Sequence, residues 1–151
     1  EAISQRRFAL ELAEEGRVAV RHARSDTLQK VKKLEHISED DKTRAEKDVQ
    51  KMRETYNARR LTMIRRLREI GFGITVEPTG AFYVFANADR FTRDSYAFAF
   101  EVLEHAKVGI TPGIDFGPHG EGYVRFSYAN SMENIAKGLD RIEQYLKDGK
   151  I

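Results

Sequence analysis

Cysteine and tryptophan are absent from this 151-residue chain, and proline occurs only three times. Without cysteine the chain cannot form a disulfide or a thiolate metal site. No apolar run approaches the roughly 18 residues that a membrane-spanning helix needs, and we find no signal peptide. We therefore expect a soluble, cytoplasmic protein that makes no contact with a membrane.

Glycine and aromatic residues are almost missing from the first third of the chain. Residues 1–53 contain one aromatic residue, Phe8, and one glycine, Gly16, whereas residues 54–151 contain all the others and all three prolines. A single globular core would mix these residue types. The change therefore predicts two structural units, 1–53 and 54–151.

Neither unit has a large excess of charge. The net charge of +2 divides into 13 basic and 11 acidic residues in 1–53, and 13 of each in 54–151. A domain that binds nucleic acid usually concentrates basic residues on one face. Nucleic acid is therefore not an expected partner.

The first 70 residues have the apolar periodicity of two helices. Apolar residues recur at helical spacing from about residue 3 to Leu34, and again over about 39–70. Ser38 is a suitable N-cap for the second helix and Gly71 a suitable C-cap. Because no proline or glycine interrupts residues 39–70, we expect one continuous helix to join the two units. Its heptad-like seam, which we expect to be core, consists of Ala45, Val49, Met52, Tyr56, Met63, Leu67 and Ile70.

After Gly71 the pattern changes to short strands and two further helices. Asp94 and Ser131 are candidate N-caps for those helices, the first of which should cover residues 95–106. The candidate strands are Gly73–Glu77, Ala81–Phe85, Val108–Thr111 and Tyr123–Ala129. The order ααββαββα predicts an α+β fold, in which a long helical hairpin continues through its second helix into a small, antiparallel or mixed sheet covered by helices.

Several motifs in the second unit occur in a characteristic order. They are Tyr56-Asn57-Ala58-Arg59-Arg60, Pro78-Thr79-Gly80-Ala81-Phe82-Tyr83, Val108-Gly109-Ile110-Thr111-Pro112-Gly113 and Gly122-Tyr123-Val124-Arg125-Phe126-Ser127-Tyr128-Ala129. With these motifs, residues 54–148 resemble the small domain of fold-type-I pyridoxal-phosphate aminotransferases. The resemblance implies that Arg125 binds a substrate carboxylate through its two-pronged guanidinium group.

A different family is resembled by residues 13–52. Ala13-Glu14-Glu15-Gly16-Arg17-Val18-Ala19-Val20-Arg21, Ile37-Ser38-Glu39-Asp40-Asp41 and Val49-Gln50-Lys51-Met52 are similar to the long helices of bacterial ribosome recycling factor. The resemblance implies that Arg17, Arg21 and Arg24 lie on a helix face that contacts ribosomal RNA. Residues 1–12 match neither family.

Neither resemblance brings a complete active site. An aminotransferase needs a lysine that forms a Schiff base with pyridoxal phosphate, supplied by a large domain, whereas the lysines after residue 54 are Lys107, Lys137, Lys147 and Lys150, at helix ends or on helix surfaces. We therefore expect an engineered chimera, made by helix fusion, that is not an enzyme and needs no cofactor and no partner. Arg125 and the stripe of Arg17, Arg21 and Arg24 would then be vestigial.

Two alternatives remain open. The second unit could be a remnant aminotransferase small domain that binds a carboxylate or pyridoxal phosphate, or the first unit could be a ribosome-binding module. An uncovered flank of the helical hairpin would also allow the chain to form a homodimer.

Three weaker candidates are interpreted as structural. The glycine-rich loop 113–122 lacks the Gly-Lys-Ser/Thr ending of a phosphate-binding loop and should be a connector. Asp115 and Glu121, within this loop, should be solvated carboxylates. We expect no metal site, because ligand spacing is absent among His22, His36, His105 and His119.

Overall fold

A computed structural model describes residues 25–26, 29–30 and 38–149 of the chain. The chain divides into two compact units, Glu1–Arg53 and Glu54–Ile151. The predicted first helix lies outside the described residues, except for residues 25–26 and 29–30, which are helical. No helix in the described part of the chain is long and apolar enough to span a membrane.

The first helix described in full, α1, runs over Glu39–Ile70. The Ser38 hydroxyl accepts a hydrogen bond from the Asp41 backbone N–H at 3.1 Å and donates one to the Asp41 carboxylate at 2.8 Å. At the other end Gly71 has a φ of 116°, and the Phe72 N–H donates to the Leu67 carbonyl at 2.9 Å. Both caps satisfy backbone groups that the helix itself leaves unpaired. The predicted bounds of this helix are confirmed.

The buried positions of α1 lie in its C-terminal half. Met63, Ile64 and Leu67 are buried, and Tyr56 and Ile70 pack partly buried against the same core. Met52 is 54% exposed, so its assignment to a core seam was wrong. Regular spacing marks the apolar side of a helix but does not show how far along the helix that side is covered.

The sheet has three antiparallel strands, β1 (Tyr83–Asn87), β2 (Thr111–Pro112) and β3 (Tyr123–Ser127). Strand β3 is central, paired with β1 on one edge and with β2 on the other. Together with the helices this arrangement confirms the predicted α+β class.

The predicted strand boundaries were less accurate. The strand expected over 73–77 is wrong, because only an isolated bridge between Gly73 and Asn87 forms there. Strand β1 begins at Tyr83 rather than Ala81, since Ala81 has a φ of 60° and cannot extend a strand. Of the strand expected over 108–111, only Thr111 pairs with β3.

Two further helices belong to the second unit, one between β1 and β2 and one after β3. Helix α2 (Ser95–Glu101) continues as a π-helical segment over Val102–Ala106, and α3 covers Met132–Lys147. The predicted caps are confirmed: the Asp94 carboxylate accepts from the Ala97 N–H at 2.9 Å, and the Ser131 hydroxyl accepts from the Asn134 N–H at 3.1 Å. Within the π-helical segment Val102 and Ala106 are buried, whereas Leu103 is 48% exposed.

An ion-pair cluster joins the C-terminal half of α1 to α3. The Arg66 guanidinium lies 2.6 Å from the Asp140 carboxylate and 2.8 Å from that of Glu143. These hydrogen bonds raise the pKa of Arg66 above its usual range. They supplement a continuous apolar core that includes Leu67, Phe72, Val84, Phe98, Val102, Val124, Phe126, Leu139 and Ile142.

Candidate functional site

Arg125 lies on the outer face of the central strand. Along β3, Val124 and Phe126 are buried, whereas Tyr123 and Arg125 are half-buried. This alternation follows from the two-residue repeat of a strand, which places successive side chains on opposite faces. The outer face of β3 therefore holds Arg125, and the inner face belongs to the core.

Two aromatic rings and one hydroxyl hold the Arg125 side chain. Its guanidinium carbon lies 5.2 Å from the centre of the Tyr83 ring and 4.9 Å from that of Phe116. One guanidinium nitrogen donates to the Thr111 hydroxyl at 3.3 Å. Each cation–π contact contributes roughly 0.5–1 kcal/mol at a partly exposed site, so the contacts together favour this orientation of the side chain.

Further aromatic rings extend this surface. Phe85 lies directly opposite Arg125 in the pairing of β1 with β3. Its ring stacks on Tyr123 with centres 5.1 Å apart and meets the edge of Phe116 at 5.8 Å. We call the surface formed by Tyr83, Phe85, Phe116 and Tyr123 the aromatic face.

Arg125 keeps most of its hydrogen-bonding capacity. Within the described residues no carboxylate lies at ion-pair distance from it, whereas Arg60, Arg66 and Arg68 are all paired with glutamates. A guanidinium group has five N–H donors, and the contact with Thr111 uses one. The site can therefore present a two-pronged donor to an external carboxylate.

The surroundings of Arg125 do not fit pyridoxal phosphate. That cofactor needs a lysine for its Schiff base and a cradle for its phosphate. The Arg125 guanidinium contacts the side chains of Tyr83, Phe116 and Thr111, and none of these is an amine. Lys147 pairs instead with Glu143 on α3.

Sequence reasoning identified Arg125 but missed the residues that orient it. Tyr83 and Phe85 are two residues apart on β1, and this spacing could have predicted that they lie on the same face of the strand. Thr111 and Phe116 reach Arg125 from β2 and the turn after it, which sequence spacing does not predict. The other candidate residues Arg17, Arg21 and Arg24 lie outside the described residues.

Glu121 is exposed, as expected of a solvated carboxylate, but it also has a structural role. Its carboxylate accepts hydrogen bonds from the backbone N–H groups of Gly122 at 2.9 Å and Ser95 at 2.7 Å. These two bonds lower the pKa of Glu121. The contact ties the start of α2 to the start of β3. Asp115 is exposed, in the turn Gly113–Phe116.

The glycine-rich loop is a compact connector. It folds into two short 3-10 turns, Gly113–Phe116 and Pro118–Gly120. The backbones of Gly113 and Gly120 cross so closely that a methyl group on either would overlap the other residue's carbonyl oxygen. The absence of a side chain at these two glycines therefore allows the close backbone approach.

The described histidines do not form a ligand cluster. His105 stacks on the Tyr145 ring with centres 5.5 Å apart. Among the residues that the structure describes, no three His, Asp or Glu side chains are grouped so that they could hold a metal ion.

Comparison with known families places one similarity in the N-terminal part of the chain. The ribosome recycling factor family matches residues 6–66. This match is longer than the expected span of 13–52, and it shows that residues 6–12 were wrongly considered unrelated to either family.

A second similarity covers most of the chain. The chain is 42% identical to an aspartate aminotransferase of Pyrococcus abyssi over 108 residues, which are 72% of this chain and 28% of that enzyme. It is 39% identical to the (5-formylfuran-3-yl)methyl phosphate transaminase of Methanocaldococcus jannaschii, over 67% of this chain and 26% of the relative.

Solved structures agree with this second similarity. An aromatic aminotransferase from Pyrococcus horikoshii matches with a TM-score of 0.66 and 42% identity, over 71% of this chain and 28% of that protein. An aspartate aminotransferase from Thermotoga maritima matches with a TM-score of 0.58 and 37% identity, over 65% of this chain and 25% of that protein. The chain thus spans only about a quarter of the aminotransferases that it resembles.

The two similarities overlap within α1. A match of 108 residues in a 151-residue chain must begin no later than about residue 44. The recycling factor match extends to residue 66. Residues 44–66 are therefore similar to both families, and they lie entirely within α1.

Proposed function

We propose that this chain is an engineered fusion in which a recycling-factor-like segment and an aminotransferase-like small domain share α1. The observation that supports this most directly is the overlap of the two similarities over residues 44–66. A helix is well suited to such sharing, because its outer face can follow one family's sequence while its inner face follows the other's. On this proposal the chain is a folded scaffold without catalytic activity.

The chemistry around Arg125 supports the absence of catalysis in the described part of the chain. Transamination requires an amine that forms a Schiff base with the cofactor. Arg125 supplies a cation and the aromatic face supplies four rings, but no described residue in contact with them offers such an amine. A fold that resembles part of an enzyme does not by itself retain that enzyme's reaction.

The test is a transaminase assay of the intact chain. The protein is mixed with pyridoxal phosphate, L-aspartate and 2-oxoglutarate, and oxaloacetate formation and the absorbance of the cofactor are followed. We expect no turnover and no band from an internal Schiff base. Turnover that disappears in Arg125→Ala would overturn the proposal, and a full-length aspartate aminotransferase serves as the positive control.

A second candidate function is the binding of a carboxylate by Arg125. The orientation of its guanidinium by Tyr83, Phe116 and Thr111, together with its lack of a paired carboxylate, favours this candidate. The neighbouring rings would suit an aromatic acid, because the ring of the ligand can stack while its carboxylate meets the guanidinium.

Benzoate is the appropriate probe for this second candidate. In an NMR titration we expect benzoate, but not benzyl alcohol, to shift the amide resonances of Thr111 and Arg125. Arg125→Lys should weaken the effect because an ammonium group cannot form two parallel hydrogen bonds, and Arg125→Ala should abolish it. Equal responses to benzoate and benzyl alcohol would show that the aromatic face binds rings without recognising the carboxylate.

A further inference from the structure

A second site lies away from Arg125, between the end of β3 and the first half of α3. A groove of about 430 Å³ opens there, and residues 107–110 form its third wall. This volume lies within the range of about 300–1,000 Å³ that is typical of small-molecule sites. The extended residues Val108–Ile110 form no backbone hydrogen bond with β3, which leaves the groove open along the sheet edge.

The charged side chains that line the groove are all positive. Lys107, Lys137 and Arg141 line it, and no aspartate or glutamate does. Lys137 and Arg141 are one turn apart on α3, so their side chains lie on the same side of the helix. None of the three forms an ion pair within the part of the chain that the structure describes, although Arg66 and Lys147 beside the same helix do.

Neutral hydrogen-bonding groups and an apolar floor complete the groove. Ser127, Asn130 and Asn134 lie along its rim. The Asn130 side-chain oxygen accepts bonds from the Ser131 N–H at 2.8 Å and the Asn134 amide at 3.0 Å, and its NH2 group can still act as a donor. The floor consists of Met63, Phe126 and Leu139, which are 2–4% exposed.

We propose that this groove, which we call the cationic groove, binds a small organic phosphate with an apolar body. A phosphate monoester carries between about 1.5 and 2 negative charges at neutral pH, which matches three cations better than a single carboxylate would. The phosphate would contact Lys107, Lys137 and Arg141, and the apolar body would cover Met63 and Phe126. Because Arg125 does not line the groove, this proposal is independent of the proposed function.

Phenyl phosphate, inorganic phosphate and phenol separate the two parts of this recognition. Each is titrated into the intact chain while the amide resonances of Gly109, Asn130 and Gly138 are followed. We expect phenyl phosphate to bind at least about ten-fold more tightly than either of the others, because it alone satisfies both the charge and the apolar floor. Equal affinity for phenyl and inorganic phosphate, or shifts confined to other residues, would overturn the proposal.

Charge reversal at matched positions tests whether the groove itself is responsible. Arg141→Glu should weaken phenyl phosphate binding by at least about ten-fold, whereas Arg93→Glu, at an arginine that is 86% exposed and outside the groove, should leave it unchanged. Equal losses in both variants would indicate a general effect of net charge and refute the site. Arg141→Gln repeats the test without a new negative charge, and unchanged binding in that variant would also refute it.

Discussion

Leu67 is the most deeply buried side chain of α1. It is fully buried, and Met63 and Ile64 on the same helix are 3–4% exposed. A small domain is stable by only about 5–15 kcal/mol, so the burial of the Leu67 side chain is a substantial part of the stability of the second unit.

Replacing Leu67 with aspartate should therefore unfold the second unit. The substitution removes a buried apolar side chain and leaves a buried charge unpaired, which together cost about 4 kcal/mol or more. Thermal denaturation followed by circular dichroism measures the change. Leu61→Asp, at a position on the same helix that is 49% exposed, should change stability by no more than about 0.5–1 kcal/mol. Similar melting of both variants would show that the C-terminal half of α1 is not part of the core.

Glu121 should make stability depend on pH. Its carboxylate is hydrogen-bonded to the Gly122 and Ser95 N–H groups, which lower its pKa in the folded state. Its contribution is therefore fully present above the unfolded-state pKa of about 4.3, and is lost as the pH falls through that value towards the folded pKa.

Urea denaturation between pH 7 and pH 3 tests this linkage. Glu121→Gln should reduce the loss of stability on acidification, because it removes the group that titrates. A Glu121→Gln profile that is parallel to that of the unmodified chain would contradict the assigned role.

At the scale of the elements, the loop 113–122 depends on a crossing of two backbones. A methyl group at Gly113 would overlap the Gly120 carbonyl oxygen, whereas one at Gly80 would meet no atom within 4 Å. We expect Gly113→Ala to destabilise the protein by about 2 kcal/mol or more, and Gly80→Ala to change stability by less than about 0.5–1 kcal/mol. Chemical denaturation of both variants checks this, and a Gly113→Ala variant as stable as Gly80→Ala would show that the loop has another conformation.

The ion pairs of Arg66 should stabilise the packing of α1 against α3. Its side chain is 19% exposed and contacts Asp140 and Glu143, so Arg66→Met should cost about 1–2 kcal/mol. Among the described residues, Arg65 pairs with Glu69 of the same helix, and its side chain is 63% exposed, so Arg65→Met should cost less than about 0.5 kcal/mol. Calorimetric melting of the two variants distinguishes them, and equal losses would contradict a specific link between the helices.

Elements defined by local chemistry could be predicted from the sequence, whereas those that need a partner could not. The caps Ser38, Asp94, Ser131 and Gly71 act through their own side chains or backbone within a few residues. The segment 73–77 has the composition of a strand, but Val76 is 72% exposed and only Gly73 reaches a partner. A strand exists only where a neighbouring strand accepts its hydrogen bonds.

The candidate site shows the same division. Arg125 could be identified because it belongs to a motif contiguous in sequence. The ring of Phe116 and the hydroxyl of Thr111 come from segments whose positions depend on the crossing of Gly113 and Gly120. Only the folded chain brings these groups to Arg125.

At the scale of the whole molecule, the fusion proposal requires that part of α1 be similar to both families. Residues 44–66 resemble two families at once, and the division between the two compact units, at Arg53 and Glu54, falls inside this same stretch. The fusion proposal therefore requires that the helix pass through Arg53 without interruption.

The most direct test is a measurement of backbone chemical shifts along α1 in solution. We expect uninterrupted helical Cα and carbonyl shifts from Glu39 to Ile70, with protected amides on both sides of Arg53. Random-coil shifts and fast amide exchange at residues 51–56, between two helical stretches, would contradict it.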